Sequence, residues 1–253
     1  MDAKSLRQKV LAREPVFGGW VQVGHGTSAE ILAEAGFDWV AVDMEHTDIG
    51  IAEFAGLARA IGDRTVALAR VRENDTLAIR QVLDMGAGGV IVPLVNNAAE
   101  AAKAVAAARF PPEGVRGFAF TRANAWGDAF DEYAASANDG TLVITMVETR
   151  EAIENIDAIL EIEGLDGVMI GPYDLSGSYG KPGQTSAPEV VEGCKRVIDA
   201  CAAAGKASGL HVVFPTPEHV RAALSDGHTF VALGLDTVFI REGARAALCA
   251  ARG

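Results

Sequence analysis

The two stretches that decide the fold are Leu142-Val143-Ile144-Thr145-Met146-Val147-Glu148 and Gly167-Val168-Met169-Ile170-Gly171-Pro172-Tyr173-Asp174. Each begins as an apolar run with the length and composition of a buried strand, and each ends in a carboxylate. Apolar runs without a polar face are typical of parallel strands that helices cover on both sides. Two carboxylates at the ends of successive parallel strands supply half of a divalent-metal site. The sequence therefore predicts a parallel α/β fold with a metal site at the carboxyl ends of its strands.

Short apolar runs alternate with longer segments of helical periodicity along the rest of the chain. We predict strands at residues 17–23, 39–43, 65–71, 89–93, 142–147, 167–170, 207–212 and 230–234. We predict helices at residues 28–35, 51–61, 76–85, 98–108, 152–160, 188–204, 217–225 and 243–251. Eight strand–helix units in 253 residues predict one domain, residues 1–253, folded as a (β/α)8 TIM barrel. An open, doubly wound sheet is the alternative, but no G-x-G-x-x-G turn follows the first strand.

One connection, at about residues 110–140, is much longer than the others and is rich in arginine, glycine and aromatic residues. A connection of this length in a compact domain usually has a function or contacts a partner subunit. The last predicted helix, 243–251, is apolar enough to pack on a neighbouring subunit, although its own barrel could use the same face. We therefore expect the last helix either to cover its own barrel or to be exchanged between subunits.

Composition limits the class of protein. A hydrophobic fraction of 49% is enough for a full core, and a net charge of −12 argues against nucleic acid and anionic membranes as partners. No apolar run reaches the roughly 18 residues of a membrane span, and residues 1–13 lack the apolar segment of a secretion signal. Cys194 and Cys201 are spaced as core residues of one helix, and the total of three cysteines is odd. We expect a reduced, cytoplasmic protein.

Chemistry in a barrel lies at the carboxyl ends of the strands. Glu148 and Asp174 are there, and we predict that they bind Mg²⁺ or Mn²⁺ with water and substrate oxygens completing the shell. The backbone after Gly171-Pro172 would expose N–H groups that suit a carboxylate. The alternative is that both acidic residues only cap the elements that follow them.

Two further residues at the strand ends point to acid–base chemistry. Arg70 interrupts an apolar strand, so it could bind an anion or a developing oxyanion, or else pair with a nearby carboxylate. His46 follows Asp43 by three residues and could act as a general base. His25 and His211 are weaker candidates, and we assign His219 and His228 to helix surfaces. All six lysines fall outside the strand ends, so carbanion chemistry here would need the metal rather than a Schiff base.

These residues belong to a series of motifs that runs through nearly the whole chain. The series is Gly36-Phe37-Asp38-Trp39, Asp43-Met44-Glu45-His46, Leu83-Asp84-Met85-Gly86-Ala87, Val92-Pro93-Leu94-Val95-Asn96, Pro111-Pro112-Glu113-Gly114-Val115-Arg116-Gly117, Glu148-Thr149-Arg150-Glu151-Ala152 and Gly164-Leu165-Asp166 continuing into the second stretch quoted above. In this order it resembles the HpcH/HpaI family of metal-dependent pyruvate aldolases.

The resemblance implies a role for each matching position. Glu148 and Asp174 would hold Mg²⁺, Mn²⁺ or Co²⁺, His46 would be the base, and Arg70 would stabilise charge on the keto or enolate oxygen. Asp84 matches an aspartate that makes the histidine more basic across a subunit boundary. The assembly that the resemblance implies is a homo-oligomer, a trimer of dimers.

The resemblance also implies where substrates bind. The backbone at Tyr173 and Asp174 would bind the carboxylate of pyruvate, and Trp20 and the loop containing Arg122 would line the side of the aldehyde acceptor. This chain has Met146 where the family often has a substrate-binding glutamine. It has Tyr173 where the family commonly has a small residue.

The expected activity is cleavage or formation of 4-hydroxy-2-oxo acids, with pyruvate or hydroxypyruvate as enolate donor and an aldehyde as acceptor. One alternative is a related lyase acting on a CoA thioester, or phosphoenolpyruvate mutase-like chemistry, but a CoA site calls for a basic cluster that this acidic chain lacks. A phosphate-binding isomerase would place glycine-rich turns after strands seven and eight, where Val213-Phe214-Pro215 stands instead. A metal-binding scaffold gives no reason for Arg70 and His46.

Overall fold

The computed structural model describes residues 1–252 and shows eight parallel strands in a closed barrel, in the order of the sequence. The strands are β1 (Val16–Val21), β2 (Trp39–Asp43), β3 (Val66–Arg70), β4 (Gly89–Val92), β5 (Leu142–Val147), β6 (Gly167–Ile170), β7 (Ala207–Val212) and β8 (Phe230–Leu235). The barrel closes where β1 pairs with β8. The predicted (β/α)8 barrel is confirmed.

Helices surround the barrel. They are α1 (Ala3–Leu11), α2 (Gly26–Glu34), α3 (Ile51–Ile61), α4 (Thr76–Asp84), α5 (Ala98–Ala108), α6 (Phe130–Gly140), α7 (Arg150–Glu154), α8 (Ile156–Leu160), α9 (Pro172–Ser178), α10 (Pro188–Ala204), α11 (Pro217–Asp226) and α12 (Asp236–Arg252). A short 3-10 segment lies at Arg122–Gly127. Within residues 1–252, no helix is long and apolar enough to cross a membrane.

Alternate residues of each strand face opposite sides of the barrel wall. In β5, Leu142, Ile144 and Met146 pack inside the barrel, whereas Val143 and Val147 pack against the outer helices. Continued by one residue, the same alternation directs Glu148 into the barrel mouth.

Aromatic rings fill the interior below the mouth. Trp39 stacks on Phe230 at 4.4 Å between ring centroids, and Trp20 meets Trp39 edge-on at 6.3 Å. Gly18 makes room for this packing, because a Cβ there would lie 2.0 Å from the Trp39 ring. The interior is therefore a packed core, and ligands have room only at the two ends of the barrel.

Helix α1 closes the amino end of the barrel and was missing from the sequence prediction. Its Leu6 and Val10 are buried in the interior cluster, and Arg7 Nε donates to the buried Asp166 at 2.9 Å. The spacing of Leu6 and Val10 was a weak helical signal in a segment that is otherwise charged.

Four other predictions of secondary structure need correction. The helix expected at 152–160 is two short helices, because the chain breaks regular geometry at Asn155. The connection at 110–140 contains α6 and the 3-10 segment, and the turn expected after Gly171 is helix α9. The last helix begins at Asp236 rather than at residue 243, and from Phe239 to Arg252 it is exposed.

Candidate active site

Arg70 and Asp43 form an ion pair at the centre of the barrel mouth. Their strands pair in register, so the two residues lie side by side at the carboxyl ends of β2 and β3. Arg70 Nε donates to Asp43 Oδ1 at 3.0 Å and Nη2 donates to Oδ2 at 2.8 Å, which is a bidentate arrangement. Burial raises the pKa of Asp43, but the hydrogen bonds and charge of Arg70 outweigh burial and hold that pKa below its usual value. Asp43 therefore stays ionised and holds the guanidinium of Arg70 in place.

The loop between β2 and α3 brings His46 to the same place. Asp43 Oδ1 also accepts from the backbone N–H groups of Glu45 and His46, at 3.1 and 3.2 Å. The His46 side chain is 58% exposed, and its Nε2 lies 3.4 Å from Glu45 Oε2. Arg70 Nε lies 3.4 Å from that same oxygen. His46 therefore faces the open side of the mouth while a carboxylate lies beside its ring.

Glu148 is a buried carboxylate that forms no ion pair with a cationic side chain within residues 1–252. It is 4% exposed, and its Oε1 accepts from the backbone N–H of Leu94 at 2.8 Å. Gly171 allows the chain to pass close to it, because a Cβ at Gly171 would lie 2.9 Å from Oε2. Burial, together with the negative charges of Glu45 and Asp174, raises the pKa of Glu148 to about 7. A cation is the group that would best stabilise the ionised form.

Asp174 lies in the first turn of α9 and is exposed. The N–H groups of Tyr173 and Asp174 come before the first bonded amide of this helix, that of Leu175, which donates to Gly171 O at 2.9 Å. Such free N–H groups at a helix start suit an anionic oxygen.

The mouth carries two carboxylates, Glu148 and Asp174, of the chemical type that divalent metal ions prefer. Within residues 1–252, His, Cys, Asp and Glu side chains form no group of three placed to hold a metal ion. Glu148 and Asp174 are both hard oxygen donors, and Glu45 adds a third negative charge that raises the pKa of Glu148. A divalent ion held by only these two carboxylates would leave positions for water and substrate.

Trp20 and Met146 line the floor of the mouth. Arg70 Cζ lies 4.7 Å from the Trp20 ring centroid, a cation–π contact, and Arg70 Nη1 lies 3.8 Å from Met146 Sδ. Trp20 and Met146 are 3% and 5% exposed, so they limit the depth of the site rather than line an open channel. Tyr173 is 64% exposed at the rim.

Asp84 and Arg122 lie at the other end of the barrel in the same chain. Helix α4 runs from the mouth to the amino end of the barrel, so Asp84, its last residue, lies far from His46. At the amino end, Asp84 Oδ1 accepts a hydrogen bond from the buried Arg116 at 2.9 Å. Arg122 Nη1 donates to Met85 O at 3.2 Å at the same end. Neither residue can reach the mouth of its own barrel.

The remaining histidines differ in their placement. His211 faces the interior beside Trp20, with 6.0 Å between ring centroids, and Nε2 contacts Gly234 O at 3.2 Å. His25 caps α2 and His219 is exposed on α11. The placement of His228 on a helix surface was wrong. It is 4% exposed and its Nδ1 lies 2.9 Å from Ser208 Oγ, because it precedes β8 and packs against β7.

Sequence reasoning missed three residues that organise the mouth. Gln22 Nε2 donates to Asp43 Oδ2 at 2.9 Å, and Glu45 contacts both Arg70 and His46. Arg72 donates to Met44 O and Ile49 O, each at 3.1 Å, and so holds the two ends of the loop that carries His46. Arg72 follows a strand end and Glu45 precedes His46, so position was an available signal for both. A single glutamine after a strand carries no such signal.

The model of the HpcH/HpaI aldolase/citrate lyase family matches residues 17–242. The chain belongs to this family. The family predicted from the motifs is therefore confirmed, and as a member the protein is a carbon–carbon lyase of the aldolase type.

Individual relatives agree with this assignment. A 4-hydroxy-2-oxo-heptane-1,7-dioate aldolase of Salmonella typhimurium is 39% identical over 245 residues, which is 96% of this chain and 92% of that protein. The crystal structure of a family member from Burkholderia cenocepacia is 32% identical, covers 99% of this chain and 100% of its own, and has a TM-score of 0.94. An HpcH/HpaI aldolase from Desulfitobacterium hafniense is 27% identical, covers 98% and 96%, and has a TM-score of 0.88.

Proposed function

We propose that this enzyme cleaves and forms 4-hydroxy-2-oxo acids, with pyruvate or a close analogue such as hydroxypyruvate as the enolate donor and an aldehyde as the acceptor. The observation that carries the proposal is the buried Glu148, whose pKa is raised to about 7, at the same mouth as the guanidinium of Arg70 and the imidazole of His46. A site for enolate chemistry needs these three kinds of group. The identity to an aldolase named for a 4-hydroxy-2-oxo acid supports the same substrate class.

Glu148 and Asp174 would hold a divalent ion, Mg²⁺, Mn²⁺ or Co²⁺. When bound, the ion would act as a Lewis acid that polarises a 2-oxo acid. Free N–H groups at Tyr173 and Asp174 would bind the carboxylate of that acid. None of the six lysines lies at the carboxyl end of a strand: they are on α1, α5 and α10, just before β7, or in the loop at Lys181, whose amine pairs with Glu189. This placement supports the metal-dependent route over a Schiff base.

His46 and Arg70 perform the proton and charge steps in this proposal. In the direction of cleavage, His46 takes the proton of the C4 hydroxyl, the C3–C4 bond breaks, and the aldehyde leaves. The electron pair of that bond forms the C2–C3 double bond while the π pair of the C2 carbonyl moves onto its oxygen, and Arg70 stabilises the resulting enolate because Asp43 holds its guanidinium in the mouth. A proton delivered to C3 then gives pyruvate.

Asp84 and Arg122 would act from a second copy of the chain. Their position at the amino end of their own barrel supports a role only at a neighbouring mouth, where Asp84 would raise the basicity of His46 and Arg122 would line the acceptor side with Trp20. The exposed face of α12 supports a homo-oligomer, which we propose to be a trimer of dimers with this helix exchanged between subunits. We propose that the enzyme acts in the cytoplasm.

The test is a coupled assay of pyruvate release from a 4-hydroxy-2-oxo acid. We expect activity with Mg²⁺, Mn²⁺ or Co²⁺, loss of activity with a chelator, and recovery when metal is added back. His46→Ala and Arg70→Ala should each lower kcat by about two orders of magnitude or more while the thermal unfolding temperature stays near that of the wild type.

His219→Ala is the matched control for His46→Ala, since His219 is exposed on α11 and its ring contacts Phe214 O rather than Asp43, Arg70, Glu148 or Asp174. Its kcat should equal that of the wild type. The proposal fails if no 4-hydroxy-2-oxo acid is cleaved with any of the three metals. Turnover of a CoA thioester or a phosphoenolpyruvate-like substrate in its place would favour the alternative lyase.

A further inference from the structure

A buried carboxylate at the start of α12 takes no part in the steps above. Asp236 is 3% exposed. Its Oδ1 accepts from the backbone N–H groups of Gln22 at 2.9 Å and Thr237 at 2.8 Å. Its Oδ2 accepts from Val23 N at 3.0 Å and Ser28 Oγ at 2.6 Å. Four donors compensate the buried charge and fix the segment after β1 against the end of β8.

The side chain of Gln22 continues from this anchor into the mouth. Thr237 Oγ1 donates to Gln22 Oε1 at 3.2 Å, which determines the orientation of the amide. Nε2 is then directed to Asp43 Oδ2, to which it donates at 2.9 Å. Arg70 Nη2 donates to the same oxygen at 2.8 Å. A continuous set of hydrogen bonds thus joins Asp236 to Arg70.

We propose that Gln22, anchored by Asp236, is a positioning residue for Arg70. An ionised carboxylate oxygen accepts in two lone-pair directions, and Gln22 and Arg70 together occupy both on Asp43 Oδ2. The Asp43 carboxylate therefore has one orientation, and so does the guanidinium that is bound to it at two points. This inference rests on the proposed function of Arg70 and adds to it the group that fixes its geometry.

The amide also has an electrostatic role that packing alone would not have. The Nε2–H donor favours the ionised form of Asp43, adding to the effect of Arg70 on its pKa. Gln22 contacts two carboxylates, Asp43 and Asp236, and the other ionisable side chains that interact with Asp43 are Arg70, Glu45 and His211. An anion at position 22 would face two carboxylates and would disturb the arrangement, whereas a neutral donor completes it.

Two variants separate a hydrogen-bond role from a packing role. Gln22→Met keeps the length of the side chain but has no donor. Gln22→Glu is a donor only when protonated, and its two carboxylate neighbours should hold its proton to a higher pH than usual. The kinetic parameters kcat and KM are measured for both variants and the wild type across about pH 5.5 to 8, with saturating metal.

We expect Gln22→Met to lower kcat about tenfold at every pH, with KM for the 4-hydroxy-2-oxo acid within about twofold of the wild type. At high pH, Gln22→Glu should have a kcat as low as that of Gln22→Met. As pH falls, its kcat should recover towards that of the wild type. Dividing the kcat of Gln22→Glu by the kcat of Gln22→Met at each pH removes the pH effects that both variants share at the metal site. A flat ratio across the pH range, or a kcat for Gln22→Met within twofold of the wild type, would overturn the proposal.

A readout that does not depend on turnover separates this proposal from the proposed function. The Nε–H resonance of Arg70, assigned by its loss in Arg70→Lys, reports the hydrogen bond to Asp43 in ¹H–¹⁵N spectra. In the wild type it should exchange slowly with solvent, and in Gln22→Met it should shift and exchange faster. An inactive wild type with this spectral change would refute the aldolase assignment and leave the positioning role standing, whereas unchanged spectra would refute the positioning role.

Discussion

At the scale of single residues, ionisation of the buried Glu148 carries a free-energy cost in the metal-free protein. Its pKa in the folded chain is about 7, against 4.5 for an ordinary glutamate, so the folded state binds this proton more tightly than the unfolded chain. Ionisation therefore disfavours folding. The cost is absent below pH 4.5, grows as pH rises, and is complete above about pH 7, where the shift corresponds to about 3 kcal/mol.

Replacing Glu148 by the neutral isostere glutamine should remove this cost. With a chelator present, Glu148→Gln should unfold at a higher temperature than the wild type at pH 8, and the difference should shrink as pH is lowered towards about 4.5. Added Mn²⁺ should stabilise the wild type and not the variant, because a ligand that binds the folded state stabilises it. Equal stabilisation of both proteins by Mn²⁺ would exclude Glu148 as a ligand.

How far the sequence could predict single residues depends on where each residue's partners lie. Glu148 and Arg70 were predictable because both stand at strand ends, and the period of a strand alone decides which way they face. His228 was not, because its burial depends on Ser208, which is on another strand. Gln22 was missed for the same reason: its amide matters only through Asp43 and Asp236, which are distant in the sequence.

At the scale of elements, the loop from Met44 to Gly50 is the part that the barrel has to hold in place. Arg72 donates Nε to Met44 O and Nη2 to Ile49 O, so one planar guanidinium joins both ends of the loop that carries Glu45 and His46. An ammonium group cannot reproduce this two-point geometry. The position of His46 therefore depends on a residue that makes no contact with substrate in our proposal.

Arg72→Lys should lower kcat about tenfold and cost about 1–2 kcal/mol of unfolding free energy. The amides of residues 45–50 should exchange hydrogen faster than in the wild type, while those of β5 should not change. Arg64→Lys is the matched control, since Arg64 pairs only with exposed glutamates and a helix carbonyl. Unchanged exchange in the loop, with kcat as in the wild type, would show that the two bonds of Arg72 do not position it.

Elements were predictable in proportion to how much of their packing is local. The strands 39–43, 142–147, 167–170 and 207–212 were predicted at their observed bounds, since continuous apolar runs are buried on both faces whatever lies beside them. Helix α1 was missed because only Leu6 and Val10 mark its buried face. The start of α12 was misplaced because Asp236 begins it through contacts with the segment after β1.

At the scale of the whole molecule, the mouth of one barrel holds only some of the side chains that the proposed reaction uses. The mouth contains Glu148, Arg70 and His46, while Asp84 and Arg122 lie at the amino end of the same barrel. Helix α12 leaves the barrel after Asp236 and is exposed beyond Val238. A second copy is the simplest source of the missing contacts, because helix direction in a barrel fixes the end at which each helix terminates.

Complementation between two inactive variants tests this directly. We expect His46→Ala and Asp84→Asn each to have low activity as pure proteins. Co-expressed and purified through two different tags, they should form hybrids in which some mouths combine an intact His46 from one chain with an intact Asp84 from another, and activity should return. The control pair, His46→Ala with Arg70→Ala, alters two residues of the same mouth and should gain much less, because every mouth then carries one defect. No recovery in the first pair, despite hybrids of confirmed composition, would place Asp84 outside the catalytic site and leave its pairing with Arg116 as its role.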